Sequence, residues 1–224
     1  MRVSIVIPTL REAAALPATL DHLASLSGHL EVIVADGGSD DGTPQVAAAH
    51  PRTDAVVEVR GGGRARQLNA GAVWATGDVL VFLHADSRLP AGAYAALSAT
   101  EADGGNFALR FDGEDRFARV LGRVYALQRR FGLYYGDSSV WVRRDVFDRL
   151  DGYRPLPIMD DYDFVRRLER STPTACLPGP ATTSARRWRR QGVARTVASW
   201  LVIRWLFLAG VPPDRLARLY RAVR

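Results

Sequence analysis

Short runs dominated by β-branched and aliphatic residues recur through the first third of the chain, at positions 3–7, 30–35, 56–59 and 79–83. Runs of this length closed by turn formers predict strands buried on both faces of a parallel sheet. Between the first two, Leu16, Leu20 and Leu23 recur at helical spacing, with Pro17 tolerated in a first turn. Further helices are predicted over 43–49 and 65–75, the second stopped at Gly77. The alternation predicts an α/β fold with a Rossmann-like, mostly parallel sheet, helices on both faces and the strand C-termini at one edge.

Beyond Pro90 the pattern loosens. Helices are predicted over 91–99, 116–131 and 161–169, strands over 106–111 and 140–142 with a brief helix after the latter, and two tail helices within 195–223, broken at Gly210-Val211-Pro212-Pro213. No repeat or low-complexity linker appears, so the expected organisation is one α/β domain over 1–190 with a C-terminal helical extension over 191–224.

Composition narrows the chemistry. With 47% hydrophobic and 24% charged residues, the 224-residue chain can bury a sizeable core. Cys176 is the only cysteine, which excludes a disulfide framework and a cysteine zinc site. Every basic residue among the 30 is arginine, so a Schiff-base lysine and a P-loop lysine are excluded as well. Residues 1–115 carry a net −7 and residues 116–224 a net +13, which together make the formal +6 of the chain. An acidic front and a basic back suggest separate tasks, the back suiting phosphates, an anionic membrane or nucleic acid.

The N-terminal apolar run is too short for a signal peptide, so a cytoplasmic location is expected. Residues 197–211, VASWLVIRWLFLAGV, are interrupted by Arg204 and fall short of the roughly 20 residues a membrane span needs. They read as a helix lying on something: the inner face of the cell membrane, the domain itself or a second copy of the chain.

Ligands of open α/β sheets sit outside the carboxyl ends of the strands. Asp36 and Asp86 both fall there. ADGGSDDGT, 35–43, reads either as an acidic turn before an N-capped helix or as a loop offering Asp36 to a nucleobase or ribose. Its glycines do not form the dinucleotide fingerprint. In 61–71, GGGRARQLNAG, Arg64 and Arg66 open a helix and suit a diphosphate or simply solvent. A carboxylate such as Asp86 binds Mg²⁺ or Mn²⁺ when diphosphate oxygens and water complete six ligands, with His84 as a second ligand or as a hydrogen-bonded strand end.

Taken in order, IPTLREA (7–13), DGGSDDGT (36–43), GRARQLNAG (63–71), FLHADS (82–87) and MDDYDFVRRL (159–168) resemble the family 2 glycosyltransferases, inverting enzymes with the GT-A fold. Two departures stand out. The family's Asp-x-Asp is His84-Ala85-Asp86, and its Glu-Asp pair is Asp160-Asp161. SARRW, 184–188, is similar to the Gln-x-x-Arg-Trp motif of processive members, with serine for glutamine. More narrowly, the chain is similar to a bacterial subgroup linked to selenium- and radical-enzyme loci, arsenosugar biosynthesis or carotenoid-acid glycosylation, labels that disagree on substrate.

The resemblance implies a UDP- or GDP-linked sugar donor, a Mn²⁺ or Mg²⁺ cofactor and a small-molecule or lipid-like acceptor, with no nucleic acid partner. It implies Asp161 as base, with its neighbour Asp160 as the alternative, and Arg187 steadying the departing diphosphate. Pro8, Thr9, Glu12, Asp36, Gly37, Arg64, Gln67, Asn69, Ala85 and Asp86 would line the donor site, and Asp86 with His84 the metal. Trp188 would lie by the acceptor, flanked by Asp137 and Trp141 of GDSSVWVRR, where Trp141 reads as a sugar-stacking ring or as core. A nucleotidyltransferase would want a glycine-rich basic loop after the first strand, and a nucleic-acid binder would not gather acids at strand ends.

Overall fold

A computed structural model describes residues 1–61, 63–113 and 116–220, apart from the side chains of Arg187, Arg190 and Gln191. Within them the first strand, β1 (Val3–Thr9), turns Val3, Ile5 and Ile7 to one face and Val6 to the other, and all four are fully buried. A parallel strand covered by helices on both sides behaves in this way. It pairs in parallel with β2 (Leu30–Asp36) and β4 (Val79–Phe82), and β2 pairs in parallel with β3 (Ala55–Glu58).

One face carries α1 (Leu16–Ala24), α2 (Thr43–Ala49) and α4 (Ala93–Ala99); the other carries α3 (Gly63–Trp74), α6 (Arg144–Arg149) and α7 (Asp160–Ser171). The approach of α3 to β1 is close: a Cβ on Gly71 would stand 2.4 Å from Val6 Cγ1. The parallel half gives way to β7 (Trp141–Arg143), which runs antiparallel to both β4 and β6 (Gly104–Phe111). Then β8 (Thr174–Thr183) pairs in parallel with β6 and antiparallel with the two-residue β5 (Ser87–Arg88). The described order is β3-β2-β1-β4-β7-β6-β8-β5.

A third, smaller core lies under α5 (Arg116–Arg129), α8 (Arg186–Gln191) and α9 (Val193–Leu208), built from Phe111, Leu121, Ala185 and Trp188 with Phe117, Tyr125 and Trp200 against them. The last helix is α10 (Pro213–Leu219). Three observed elements were not expected. The strands β5 and β8 are absent from the sequence-based expectation, and so is α8. The β8 segment TACLPGPATT contains Pro178 and Pro180, which argue against a strand. The pairing with β6 shifts register between Phe107 and Leu109, where those prolines sit.

Candidate active site

At the C-terminal edge of the parallel strands, two groups of carboxylates each share one arginine. In the first, the Arg186 fork donates to Glu12 at 3.0 and 2.7 Å, and its Nε lies 2.9 Å from Asp86 Oδ2. Local structure explains the meeting. Asp86 sits directly before β5, whose Ser87 hydroxyl meets the Thr183 hydroxyl at 2.7 Å on β8, and β8 leads into α8. Asp112 accepts the Ala185 N–H at 2.8 Å and fixes the start of α8. Burial raises the Asp86 pKa above the ordinary carboxylate value; Arg186 pulls it down and Glu12 pushes it up again. Hydrogen bonding to Glu12 raises the Arg186 pKa, against burial.

In the second group, Arg64 at the start of α3 grips Asp160 with two hydrogen bonds, 3.0 and 2.7 Å, and reaches Asp161 Oδ2 at 3.2 Å. Its Nη1 lies 3.3 Å from His84 Nε2, which must accept, since a guanidinium only donates. Both aspartates open α7, where the helix dipole favours negative charge. Asp161 Oδ2 also accepts the Gly136 N–H at 2.9 Å, and Oδ1 accepts the Tyr162 N–H at 2.8 Å. Burial disfavours charge on Asp161, yet Arg64 and the two amides hold its pKa below the ordinary value. Burial likewise opposes the charge on Arg64, and the two aspartates hold its pKa well above the usual range. Gly136 is where these groups converge: a Cβ there would lie 3.1 Å from His84 Nε2, 3.3 Å from Asp161 Oδ2 and 3.4 Å from Arg64 Nη1.

A cleft of about 500 Å³ opens on the β3 side of these groups, lined by Asp36, Gly37, Gly38, Ser39, Pro44, Gln45, Glu58, Arg60 and Gly61. Asp36, fully buried, accepts from the Thr9 hydroxyl, the Gly38 and Ser39 N–H groups and the Ser39 hydroxyl. Four donors fill a carboxylate, so Asp36 shapes the cleft and has no lone pair turned outward. Gln67, also buried, donates to the Thr9 and Ala35 carbonyls at 2.5 and 2.9 Å and ties β1 to β2 beneath it. Pro8 and Thr9 end β1, and the Thr9 carbonyl accepts the Gly37 N–H. Ala85 is buried and its carbonyl accepts the Thr19 hydroxyl.

Several expected roles move. His84 belongs with Arg64 and Asp161, its Nε2 turned to the Arg64 guanidinium instead of standing open to an ion. Arg64 is shared by Asp160 and Asp161, so a diphosphate would have to draw it away from them. Asn69 exchanges hydrogen bonds with the Tyr153 backbone at 2.7 and 2.9 Å, bracketing that loop, so its amide is not turned to a donor. Trp141 is 0% exposed, between Val81 and Gly105 in the middle of the sheet, and offers no face to a sugar. Trp188 packs edge-on against Phe111 at 4.8 Å and Phe117 at 5.3 Å and is buried in the third core, which leaves no open ring face. Asp137, on the 3₁₀ turn Gly136–Ser138, hydrogen-bonds Tyr125, whose buried phenol is pushed well above its usual pKa. The side chain of Arg187 lies outside the described residues.

Residues 4–151, well over half of the chain, match the family described as Glycosyl transferase family 2. The chain belongs to that family. A PGL/p-HBAD biosynthesis glycosyltransferase of Mycobacterium bovis is 39% identical over 98 residues, 38% of this chain and 36% of the relative, and the same figures hold for the Mycobacterium tuberculosis protein. The chain therefore spans little more than a third of the length of these curated relatives. Staphylococcus aureus TarS in complex with UDP-GlcNAc superposes with a TM-score of 0.69 at 16% identity, over 82% of this chain and 58% of that one. A Pyrobaculum calidifontis mannosyltransferase in complex with GDP-Man and Mn²⁺ gives 0.64 at 22% identity, over 82% and 56%. The fold is thus GT-A.

Within this family frame, the residue that sequence reasoning missed is Arg186. The arginine doublet at 186–187 was the available signal, but adjacent helical residues point about 100° apart and only the fold shows which one meets Glu12 and Asp86.

Proposed function

We propose that this family 2 chain is an inverting glycosyltransferase, moving a sugar from a nucleoside diphosphate sugar to an acceptor hydroxyl or carboxyl group. The observation that carries the reading is Asp161 at the start of α7, paired with Arg64, which also meets His84, two residues before Asp86 in the chain. Asp161 Oδ1 has one protein donor, the Tyr162 amide, and keeps a lone pair for an acceptor proton. Asp160 has both oxygens in the Arg64 fork and serves as its clamp. As the acceptor oxygen bonds to the anomeric carbon, its proton passes to Asp161 and the sugar–phosphate bond breaks, leaving the nucleoside diphosphate with the electron pair. Movement of Arg64 onto that diphosphate would free Asp161 from its strongest neutralising partner and make it a better base.

The donor set at Asp86 fits a hard divalent ion. Carboxylate oxygens suit Mn²⁺ or Mg²⁺, and the half-buried Asp86 already lies against a cation, the Arg186 guanidinium. Among the described residues no three His, Cys, Asp or Glu side chains form a metal cage, so Asp86 and Glu12 would hold the ion with substrate oxygens completing the shell. When bound, the ion supplies charge stabilisation for the leaving diphosphate.

An acceptor at a membrane surface is supported by α9 (Val193–Leu208), which contains no acid and exposes Leu201, Val202, Trp205 and Leu208. None of the described helices is long and apolar enough to cross a membrane. Sedimentation with anionic liposomes tests this; equal pelleting of the whole chain and of one ending near Gly192 removes the membrane part. The alternative occupant of that face, a second copy of the chain, would appear as a dimer by light scattering.

The central test is a thermal-shift panel of UDP, GDP and their sugars with and without Mn²⁺. Metal-dependent stabilisation by one nucleotide class is expected. A flat panel would overturn the transferase reading.

A further inference from the structure

The helix α9 does more than cover the third core, because one of its stripes reaches Tyr162, the residue after Asp161. Thr196 and Ile203 are buried, Trp200 packs on the third core, and Phe207 meets Tyr162 edge-on at 5.9 Å. These positions repeat at helical spacing and define the side of α9 that faces the transferase core. Arg204 lies next to that stripe, one turn after Trp200 and one turn before Phe207, and is half-buried, whereas Arg195 on the same helix is exposed. Tyr162 follows Asp161 directly and stacks on Tyr135 at 6.2 Å and 27°. The charge of Arg204 reaches this shelf: burial raises the Tyr135 phenol pKa, and Arg204 opposes the rise.

Arg204 differs from the arginines of the ion-pair groups. Arg64, Arg129, Arg154, Arg167 and Arg186 each have a carboxylate within 4 Å, while among the described residues no carboxylate lies that close to Arg204. A half-buried guanidinium without a counter-charge gives up hydration and gains nothing in return. An anion arriving from outside would reverse that.

We infer that Arg204 binds an anionic group of the sugar acceptor, a carboxylate or a phosphate monoester, while the apolar body of the acceptor lies along Tyr135, Tyr162 and Phe207. The inference rests on the transferase reading above and specifies its acceptor. A guanidinium suits either anion through paired N–H donors, and its positive charge offsets the repulsion between an anionic acceptor and Asp161.

Calorimetric titration of the full chain with octanoate, octyl phosphate, octanol and inorganic phosphate tests it. At least one of the two alkyl anions should bind about tenfold more tightly than octanol. Arg204→Gln should remove that preference, Arg204→Lys should keep most of it, and Phe207→Ala should weaken octanol and alkyl anions alike. The stronger of octanoate and octyl phosphate assigns the anion. Equal binding of octanol and both anions, an unchanged preference in Arg204→Gln, or no saturable binding of either anion overturns the inference. So does inorganic phosphate binding as tightly as octyl phosphate, because the aromatic shelf would then contribute nothing. The nucleotide panel separates the two failures: nucleotide-sugar binding without Arg204-dependent anion binding sinks only the acceptor assignment, and the converse sinks the transferase reading.

Discussion

The strand β2 carries a buried acid near each end, and the two ends of the sheet treat carboxylates differently. At the entry end Glu31 accepts from the Ser4 hydroxyl, the Thr76 N–H and hydroxyl and the Arg2 guanidinium. Three of those four donors are neutral groups fixed by strand or turn, and together they seal the edge. At the exit end Asp36 is filled in the same manner, but beyond it four more carboxylates divide between two arginines. Each arginine serves two acids, which leaves a surplus negative charge in each group. The lesson is that donors which cannot leave mark a structural acid, whereas shared, movable cations mark acids awaiting a ligand.

Removing the base should break this contrast most severely. Asp161→Asn is expected to lower transfer by about a thousandfold, within the range for loss of a general base, with nucleotide binding retained. Comparable loss from Asp160→Asn, together with intact activity in Asp161→Asn, would exchange their roles. Next in size comes the cation. Chelation with EDTA should reduce transfer at least about a hundredfold and Mn²⁺ should restore it, as should be seen for an ion that stabilises a leaving diphosphate. Undiminished turnover in EDTA would instead make Arg186 the permanent cation of that group.

How far this contrast could be read beforehand depended on the kind of signal. The helices were legible because burial of one face imposes a period, with 43–49 coinciding with α2 (Thr43–Ala49), and the parallel strands because burial of both faces leaves short apolar runs. The β8 strand was not, since Pro178-Gly179-Pro180 mimics a loop while flanking residues on both sides still pair. Asp86 and Asp161 were legible as acids at strand and helix ends, but their partners were not. His84 and Arg64 come from different elements, and nothing local says that Gly136 will bring them to Asp161. Trp141 illustrates the opposite error: a ring beside motif residues can be core when its strand lies between two others.

A third change tests the structural end by itself. Glu31→Gln should cost about 2 kcal/mol at neutral pH, because an amide NH₂ in either orientation faces a donor it cannot accept from. Catalytic constants should not move. Burial works against the Glu31 charge, yet the Ser4, Thr76 and Arg2 donors hold its pKa below the ordinary value. A lowered folded-state pKa gives stability that is complete above the unfolded value, about 4.3 for glutamate, and lost as pH falls through the folded one. Urea denaturation of both proteins should therefore show a full gap at pH 7 that narrows below pH ~4. A gap independent of pH would mean that packing, not the charge, is what the substitution disturbs.

The smallest effect is the sharpest test of what distinguishes the two ends. Arg2 has a side chain 48% exposed, and its bond to Glu31 at 3.0 Å supplements donors that remain without it. Solvent screens such a pair, so Arg2→Gln should cost no more than about 0.5 kcal/mol in urea denaturation. At the other end Arg64 is the principal counter-charge of two adjacent acids, and Arg64→Gln leaves the buried Asp160 and half-buried Asp161 with only neutral donors and His84 at hand. The gap between these two substitutions, read on the same denaturation curves, measures how differently the two ends hold their acids. If Arg2→Gln costs as much as Arg64→Gln, fixed neutral donors do not suffice for Glu31, and the division between immovable and movable partners falls.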